Sequence, residues 1–557
     1  MHSARGFLAT IVFLLLSLYL LYTASRLYHQ PPREEANSIG LAKGEGEGAV
    51  ETAKKSQWTP ASTPTGPTPQ PTLGASPSSP DLGLAEAAEH AGTGTAAASA
   101  PSTPSGVGPQ TPSISAAEGL VEPNDVVLIL KTGSNNVWRR LPLHFLTTFA
   151  NNRIPNYAIY SDAHERLAPG IATIDAIANV SQLLGQHDPA AHRIYTSQLA
   201  HIRPNTYREQ AGLAGDTTPD QAADGNPEGW VLDRYKFLPM LQHAYTAWPD
   251  RKWYFYIEDD TYPFWWNIRQ FLARHDHTAP AYYGAMSGPS NATFAQGGSG
   301  IAFTHALMQK MFNNNNNTSD SSNQATLDKY ANLTAAECCG DIILGAILRD
   351  YGAEVNGGEF GPSLLFRPEP PWKTRFDVSV WCEPVMTFHH LHQQDLALFS
   401  ELEEELRVGG PGEPGREKVL FRDVFMKFVY PYLIEEIREG KGEQVKDWDN
   451  HADLWLLRDG LPVPTELLSS SEGVVGVDVA AAVRSSEGCK EACRKVEKCF
   501  SWKHTGATCS LDSGVKFGAA QQAPMQGDQA KAVVTSGWML DRLNATLLAN
   551  ECWGFRD

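Results

Sequence analysis

Positive charge is scarce in this chain of 557 residues, which carries 45 Lys and Arg against 63 Asp and Glu for a net charge of −18. That balance works against binding a polyanion by bulk electrostatics. No Lys/Arg-rich patch offers nucleic acid a local footing either. Cysteine is absent from the N-terminal half: all eight lie between Cys338 and Cys552. Long apolar runs are few. One runs from Gly6 to Tyr22, interrupted only by Thr10 and Ser17, and extends to Ala24. As a helix it would span about 28 Å, a bilayer core. A cleavable signal peptide would have a shorter apolar region and small residues before the cut. Tyr22-Thr23-Ala24 puts a bulky residue third before a cut after Ala24, so an uncleaved signal-anchor is expected. The flanks Arg5 and Arg26 nearly balance and do not fix its orientation.

From about residue 30 to 120 the chain is rich in Pro, Thr, Ser, Gly and Ala, as in Thr59-Pro60-Ala61-Ser62-Thr63-Pro64-Thr65. It cannot bury enough apolar surface to order itself, and reads as an extended, O-glycosylated stalk. The expected plan is a tail over 1–5, a membrane span over 6–24, a disordered stem over 25–120 and a folded body from 121. Asn-x-Ser/Thr acceptors at Asn179, Asn291, Asn316, Asn317, Asn332 and Asn544 join the clustered cysteines in favouring a lumenal, disulfide-permissive compartment.

In the body, Asp125 to Leu130 reads as a buried strand, and Lys131-Thr132-Gly133-Ser134 as a turn. Trp138, Leu141, Phe145 and Phe149 have helical spacing, and Asn156 to Asp162 reads as a second strand. This is a βαβ unit, with a right-handed crossover. Arg203 to Glu228 reads as loop. Leu232 to Trp248 is an amphipathic helix in which Pro239 predicts a kink or a late start.

Next come Trp253-Tyr254-Phe255-Tyr256-Ile257 and, directly after, Glu258-Asp259-Asp260-Thr261. Five apolar residues in a row suit a strand buried on both faces. Three carboxylates at its end cannot share that burial unpaired. In open α/β sheets the ligand crevice lies beyond the strands' carboxyl ends. A hard divalent cation there, held with substrate phosphates, would explain the cluster. A solvated acidic loop is the alternative.

Gly297, Gly298 and Gly300 would let backbone approach a ligand closely, and Asn313–Asn317 reads as an exposed insertion. Gly340-Asp341 opens an apolar helix ending near Gly352. Asp341 reads either as its N-cap or as a carboxylate aimed into the cleft as a base. The pair His389-His390 is not a metal site by itself.

In order, Lys131-Thr132-Gly133, Glu258-Asp259-Asp260-Thr261-Tyr262, Gly297-Gly298-Ser299-Gly300, Gly340-Asp341-Ile342-Ile343-Leu344-Gly345 and Phe388-His389-His390 resemble the inverting β-1,3-glycosyltransferases of the Fringe and core-1 galactosyltransferase type. The resemblance covers roughly Asp125 to His392 and implies an α/β, GT-A (Rossmann-like, mostly parallel) body that uses a UDP-sugar and Mn²⁺. It implies Glu258, Asp260 and His389 as metal ligands and Asp341 as the catalytic base. Thr132, Asp162, Asp259 and Lys236 are candidate nucleotide contacts, although Lys236 is expected on a solvated helix face. Two departures stand out: Glu258 replaces the usual first Asp, and Gly340 stands where many relatives have Glu.

The implied activity is transfer of galactose from UDP-galactose to the 3-hydroxyl of protein-linked N-acetylgalactosamine. It would belong to a single-pass type II Golgi membrane protein with its catalytic part lumenal. β-1,3-N-acetylglucosaminyl transfer is the alternative. A non-catalytic glycan-binding protein or chaperone would be expected to lose the acidic motif, which here persists.

Near the C-terminus stands Cys489-x3-Cys493-x5-Cys499-x9-Cys509, with Cys489 and Cys493 one helical turn apart. Four cysteines allow three connectivities. Zinc is the rival to disulfides, but no histidine completes a familiar ligand spacing. Val474 to Leu511 looks like an apple/PAN module, a small disulfide-bonded α+β domain that binds protein or carbohydrate. That resemblance implies Cys489–Cys509 and Cys493–Cys499. Val419 to Ile437 reads as helix broken by Pro431, with 400–467 finishing the catalytic body and 468–557 forming the module and tail. A bridge from Cys382 to Cys338 or Cys339 is expected to brace Asp341 against the His389 loop.

Overall fold

Val126–Lys131 (β1) is buried along its whole length, as six residues without a solvent-facing position require. The computed structural model describes residues 119–201, 231–312, 320–409, 415–440, 444–467, 476–521 and 532–552. The expected tail, the anchor, the stem up to residue 118, the whole 203–228 loop and the Asn313–Asn317 run lie outside the described residues. Among the described residues no helix is long and apolar enough to cross a membrane. The expectation of a single-pass type II Golgi membrane protein is corrected on that finding: no span is seen.

After β1 come α1 (Val137–Leu146), β2 (Tyr157–Ser161), β3 (Ile174–Asp175), α2 (Phe237–Ala247), β4 (Trp253–Glu258), β5 (Tyr262–Pro263), β6 (Tyr282–Gly284) and β7 (Ile301–Thr304). The central sheet runs β3-β2-β1-β4-β7-β6. Its first four strands are parallel, and β7 is antiparallel to both neighbours. The fold is thus α/β with a mixed, mostly parallel sheet. From β1 the chain first builds outward to β2 and β3, then returns to the other flank of β1 as β4. The strand order therefore reverses between β1 and β4, the place where such sheets open a crevice.

Alternate residues of β1 and β4 feed two cores. Val127, Ile129, Tyr254 and Tyr256 face α2 and α3 (Gly340–Asp350), while Leu128, Leu130, Trp253, Phe255 and Ile257 face α1. Pro239 produces a late start rather than a kink. It sits in the first turn of α2, where backbone N–H groups have no intrahelical acceptor to lose.

A second, three-stranded sheet joins β8 (Phe366–Arg367) and β9 (Thr387–Phe388) to β5 in the order β8-β9-β5. Phe388 pairs with Tyr262, which brings the residue after β9 back to the end of β4.

The C-terminal region adds β10 (Gln444–Lys446), β11 (Trp448–Asp449), β12 (Trp455–Arg458), α4 (Val479–Arg484), α5 (Ser486–Lys495), β13 (Ser501–Thr505), β14 (Thr508–Asp512), β15 (Ala519–Ala520) and β16 (Val534–Trp538). An antiparallel sheet runs β10-β16-β13-β14-β12, and β11 pairs with β15. The boundary expected at 467 falls inside this unit, because strands from 444–458 supply both its edges. Cys489–Cys509 and Cys493–Cys499 tie α5 to the sheet and to the turn before β13. Cys382 does not pair with Cys338 or Cys339. Those two bond to each other, and Cys382 bonds Cys552, because it packs into the core shared with the last described residues. Nor does Pro431 break its helix. A π-helical turn at Phe425–Val429 precedes it, and the helix resumes over Tyr430–Gly440.

Candidate metal and nucleotide centre

In the register of β1 and β4, Lys131 lies opposite Glu258, so both strands deliver charged side chains to one edge. The Lys131 ammonium, 3% exposed, is held by Asp233 and lies 3.0 Å from Glu258. Burial alone would lower its pKa, but Asp233 and Glu258 outweigh burial and raise it. The Tyr256 hydroxyl donates to Glu258 Oε1 at 2.8 Å.

Asp259 is fully engaged. The Thr132 hydroxyl donates to Oδ2 at 2.5 Å, Arg140 donates to Oδ1 at 2.9 Å, and the backbone carbonyl meets His144 Nε2 at 3.0 Å. Arg140 also donates to Asp260 Oδ2 at 3.0 Å. Asp259 and Thr132, expected as nucleotide contacts, bond each other and tie the ends of β4 and β1 together.

Asp260 Oδ1 is directed elsewhere. It lies 3.1 Å from His389 Nε2, and neither Asp260 Oδ1 nor His389 Nδ1 has a hydrogen-bond partner of good geometry. Glu258 Oε2 is 3.9 Å from His389 Nε2, and His390 Nδ1 is 3.9 Å from Asp260 Oδ2. Burial would raise the Asp260 pKa, yet His389 and Arg140 hold it well below the ordinary carboxylate range. Burial opposes a charged His389, and Asp260 and Glu258 outweigh it, so its pKa is raised. One ligand atom each from Asp260, His389 and His390 lies within 4.8 Å of the others. An Asp260 oxygen without a hydrogen-bond partner, with the His389 and His390 imidazoles beside it, is a donor set that suits Mn²⁺. Glu258 stands beside this set with one oxygen tied to Lys131 and Tyr256.

The backbone fixes the position of His389. Leu391 N–H donates to the Asp260 carbonyl at 3.0 Å. The Thr261 hydroxyl donates to the Gly298 carbonyl at 2.6 Å, and the Thr387 hydroxyl to the Ser299 carbonyl at 2.5 Å. A Cβ on Gly298 would lie 2.0 Å from His389 Cε1. The glycine turn and the imidazole thus occupy adjoining space that no side chain at 298 could share.

Asp341 is not the cap of α3; Cys339 holds that position. Its Oδ2 accepts from Gly297 N–H at 3.0 Å, and its Oδ1 from Ile342 N–H at 2.9 Å. A Cβ on Gly297 would lie 3.3 Å from Glu258 Oε1 and 3.5 Å from Asp341 Cβ, so the turn separates two carboxylates at contact distance. Burial raises the Asp341 pKa, the Gly297 hydrogen bond lowers it, and Glu258 adds to the rise.

On the other flank Asp162 Oδ1 accepts from Ser134 N–H at 2.7 Å, while Asp162 Oδ2 and Ser134 Oγ have no hydrogen-bond partner. Lys236 is corrected: it is 2% exposed rather than on a solvated face. Its Nζ donates to the Thr132 carbonyl at 2.9 Å and lies 3.2 Å from Asp233. A buried ammonium needs such acceptors, and the short turn before α2 supplies Asp233.

Lys131, Asp233, Arg140 and His144 were missed by sequence reading as parts of the centre. Arg140 and His144 carry a signal. They sit four apart on α1, the first helix after β1, and so face the same crevice edge. Lys131 and Asp233 carry none, because each is meaningful only beside the other. The chain matches no model of a known protein family and no curated protein.

Proposed function

We propose that the chain is a divalent-metal-dependent inverting glycosyltransferase, with a GT-A body of the Fringe and core-1 galactosyltransferase type and an apple/PAN-like C-terminal module. Its reaction is transfer of galactose from UDP-galactose to the 3-hydroxyl of protein-linked N-acetylgalactosamine. The observation that carries this reading is the convergence of Asp260 Oδ1 and His389 at the sheet's switch point, close together yet not hydrogen-bonded. Asp341 lies across the Gly297 turn from Glu258.

Asp260, His389 and Glu258 would hold Mn²⁺, which when bound stabilises the charge on the leaving diphosphate as a Lewis acid. Arg140 offsets two of the three carboxylates, so the edge is less hostile to an anionic donor. Asp162 Oδ2, 4.0 Å from the Lys236 ammonium, and Ser134 Oγ lack hydrogen-bond partners just after β2 and in the turn after β1, and we assign them to the nucleoside. In the reaction the acceptor hydroxyl oxygen bonds to the sugar's anomeric carbon as the carbon–oxygen bond to UDP breaks. The Asp341 carboxylate takes the hydroxyl proton, and a single displacement inverts the anomeric centre. A carboxylate with a raised pKa is a better proton acceptor than an ordinary one.

The test assays the purified protein with a panel of UDP-sugars and defined acceptors. Galactose transfer is expected; exclusive transfer of N-acetylglucosamine would change the donor. Asp260→Ala should abolish Mn²⁺-dependent UDP binding. Asp341→Asn should keep UDP affinity within about threefold while lowering transfer by about 10²-fold or more. Equal loss of UDP affinity in both variants would sink this division of roles.

A further inference from the structure

Beside His390 the body and the C-terminal module enclose a cleft of about 270 Å³. The body contributes Trp372, Lys373 and His392, and the module contributes Asp449, His451 and the strand β15. Trp372 lies nearly parallel to His392, with ring centroids 6.0 Å apart. Its loop is fastened to the module. Gly518 N–H donates to the Trp372 carbonyl at 2.7 Å, Phe376 and Val515 exchange backbone hydrogen bonds at 2.9 and 2.8 Å, and Arg375 lies 3.1 Å from Asp512. The fastening depends on a glycine: Gly518 has φ +79, and a Cβ there would lie 1.8 Å from the Asp449 carbonyl. His390 and His451, on opposite walls, also have positive φ, at 57° and 53°. Such backbone is costly without glycine and collects at ligand sites.

We infer that this cleft is a saccharide subsite, in which a neutral sugar of the acceptor lies against Trp372 while its reacting hydroxyl points past His390 toward Asp341. The inference rests on the glycosyltransferase reading and deepens it by assigning the module a share in acceptor recognition. The volume is below the ~300–1,000 Å³ of drug-sized pockets, a scale suited to one or two sugar rings. The lining combines one aromatic face with donors and acceptors of both kinds, as hydroxyl-rich ligands require. Asp449 is already matched by Lys503 at 2.9 Å, and burial lowers the His451 pKa, so this wall is not a cationic cradle for phosphate.

The test titrates the full chain with the α-methyl glycoside of N-acetylgalactosamine, with a glycopeptide bearing that sugar, with inorganic phosphate and, separately, with UDP plus Mn²⁺. Two variants accompany the wild type: Trp372→Ala, which removes the aromatic face, and Ala520→Trp, which fills the cleft from an exposed strand position and avoids the core. Both should weaken saccharide binding at least tenfold and leave UDP–Mn²⁺ binding within twofold. Unchanged saccharide affinity in both variants overturns the inference, as does phosphate binding that the same variants abolish. UDP–Mn²⁺ binding without binding of either saccharide sinks the subsite and leaves the donor reading standing. Failure to bind UDP–Mn²⁺ at all removes the parent reading, and the subsite with it.

Discussion

Gly298 positions His389 by having no side chain. With a Cβ 2.0 Å from the imidazole, Gly298→Ala must push the ring or the turn aside. Mn²⁺ affinity measured by titration should fall at least tenfold in a protein that still melts cooperatively; full retention would show that His389 is not a ligand. Asp341 and Asp260 are shifted in opposite directions, and this separates activity from stability. The raised pKa of Asp341 means a proton reoccupies it as pH falls through a value above the ordinary ~3.9. A base that has taken a proton is inactive, so transfer is lost there. For folding the sign is reversed, since protonated Asp341 is the form that burial favours. Asp260, with its lowered pKa, contributes stability that is present above the unfolded carboxylate value and lost as pH falls toward the folded one. The acid limb of the pH–kcat profile should therefore lie at higher pH than acid unfolding followed by circular dichroism. Coincident transitions would contradict the assignment of Asp341 as base.

At the scale of elements, the start of α3 is set by its contact with α2. A Cβ on Gly340 would lie 2.2 Å from the Phe237 ring and 3.1 Å from the Arg234 backbone, so the position has no room for a side chain. Gly340→Ala should cost about 1–3 kcal/mol by overpacking, read from denaturant unfolding. Pairing it with Phe237→Leu should recover part of that loss; strictly additive effects would mean the two do not share the space. What could be read from the sequence follows the same logic. The run Trp253–Ile257 and its carboxylates were legible because strand and charge are adjacent in the chain. His389 was suggested only by the resemblance, because its place beside Asp260 depends on the pairing of Phe388 with Tyr262 across a long sequence gap. Lys236 was misread because its helix starts late and its partners are the Thr132 carbonyl just after β1 and Asp233. The strands at 444–458 went unseen because short segments with no strong alternation acquire their identity only from the sheet they join. Pro431 misled because a wider turn absorbed it.

Across the whole molecule, body and module share one core. Phe388 and Phe399 pack in the same cluster as Trp538, Leu543 and Leu547, and the Cys382–Cys552 bond closes it. Replacing both of these cysteines with serine should lower unfolding free energy by about 2–4 kcal/mol in a melt compared with the wild type. An unchanged melt would mean that the core alone secures the junction. A chain stopped at residue 467 would lose Phe500, Val515, Trp538, Leu543 and Leu547 from the core that also holds Phe388, the residue before His389. Synthesis order gives this a further meaning. A ribosome releases the acidic edge at 258–260 hundreds of residues before Trp538 and Leu543, so a nascent chain carries that edge long before the core beside it can close.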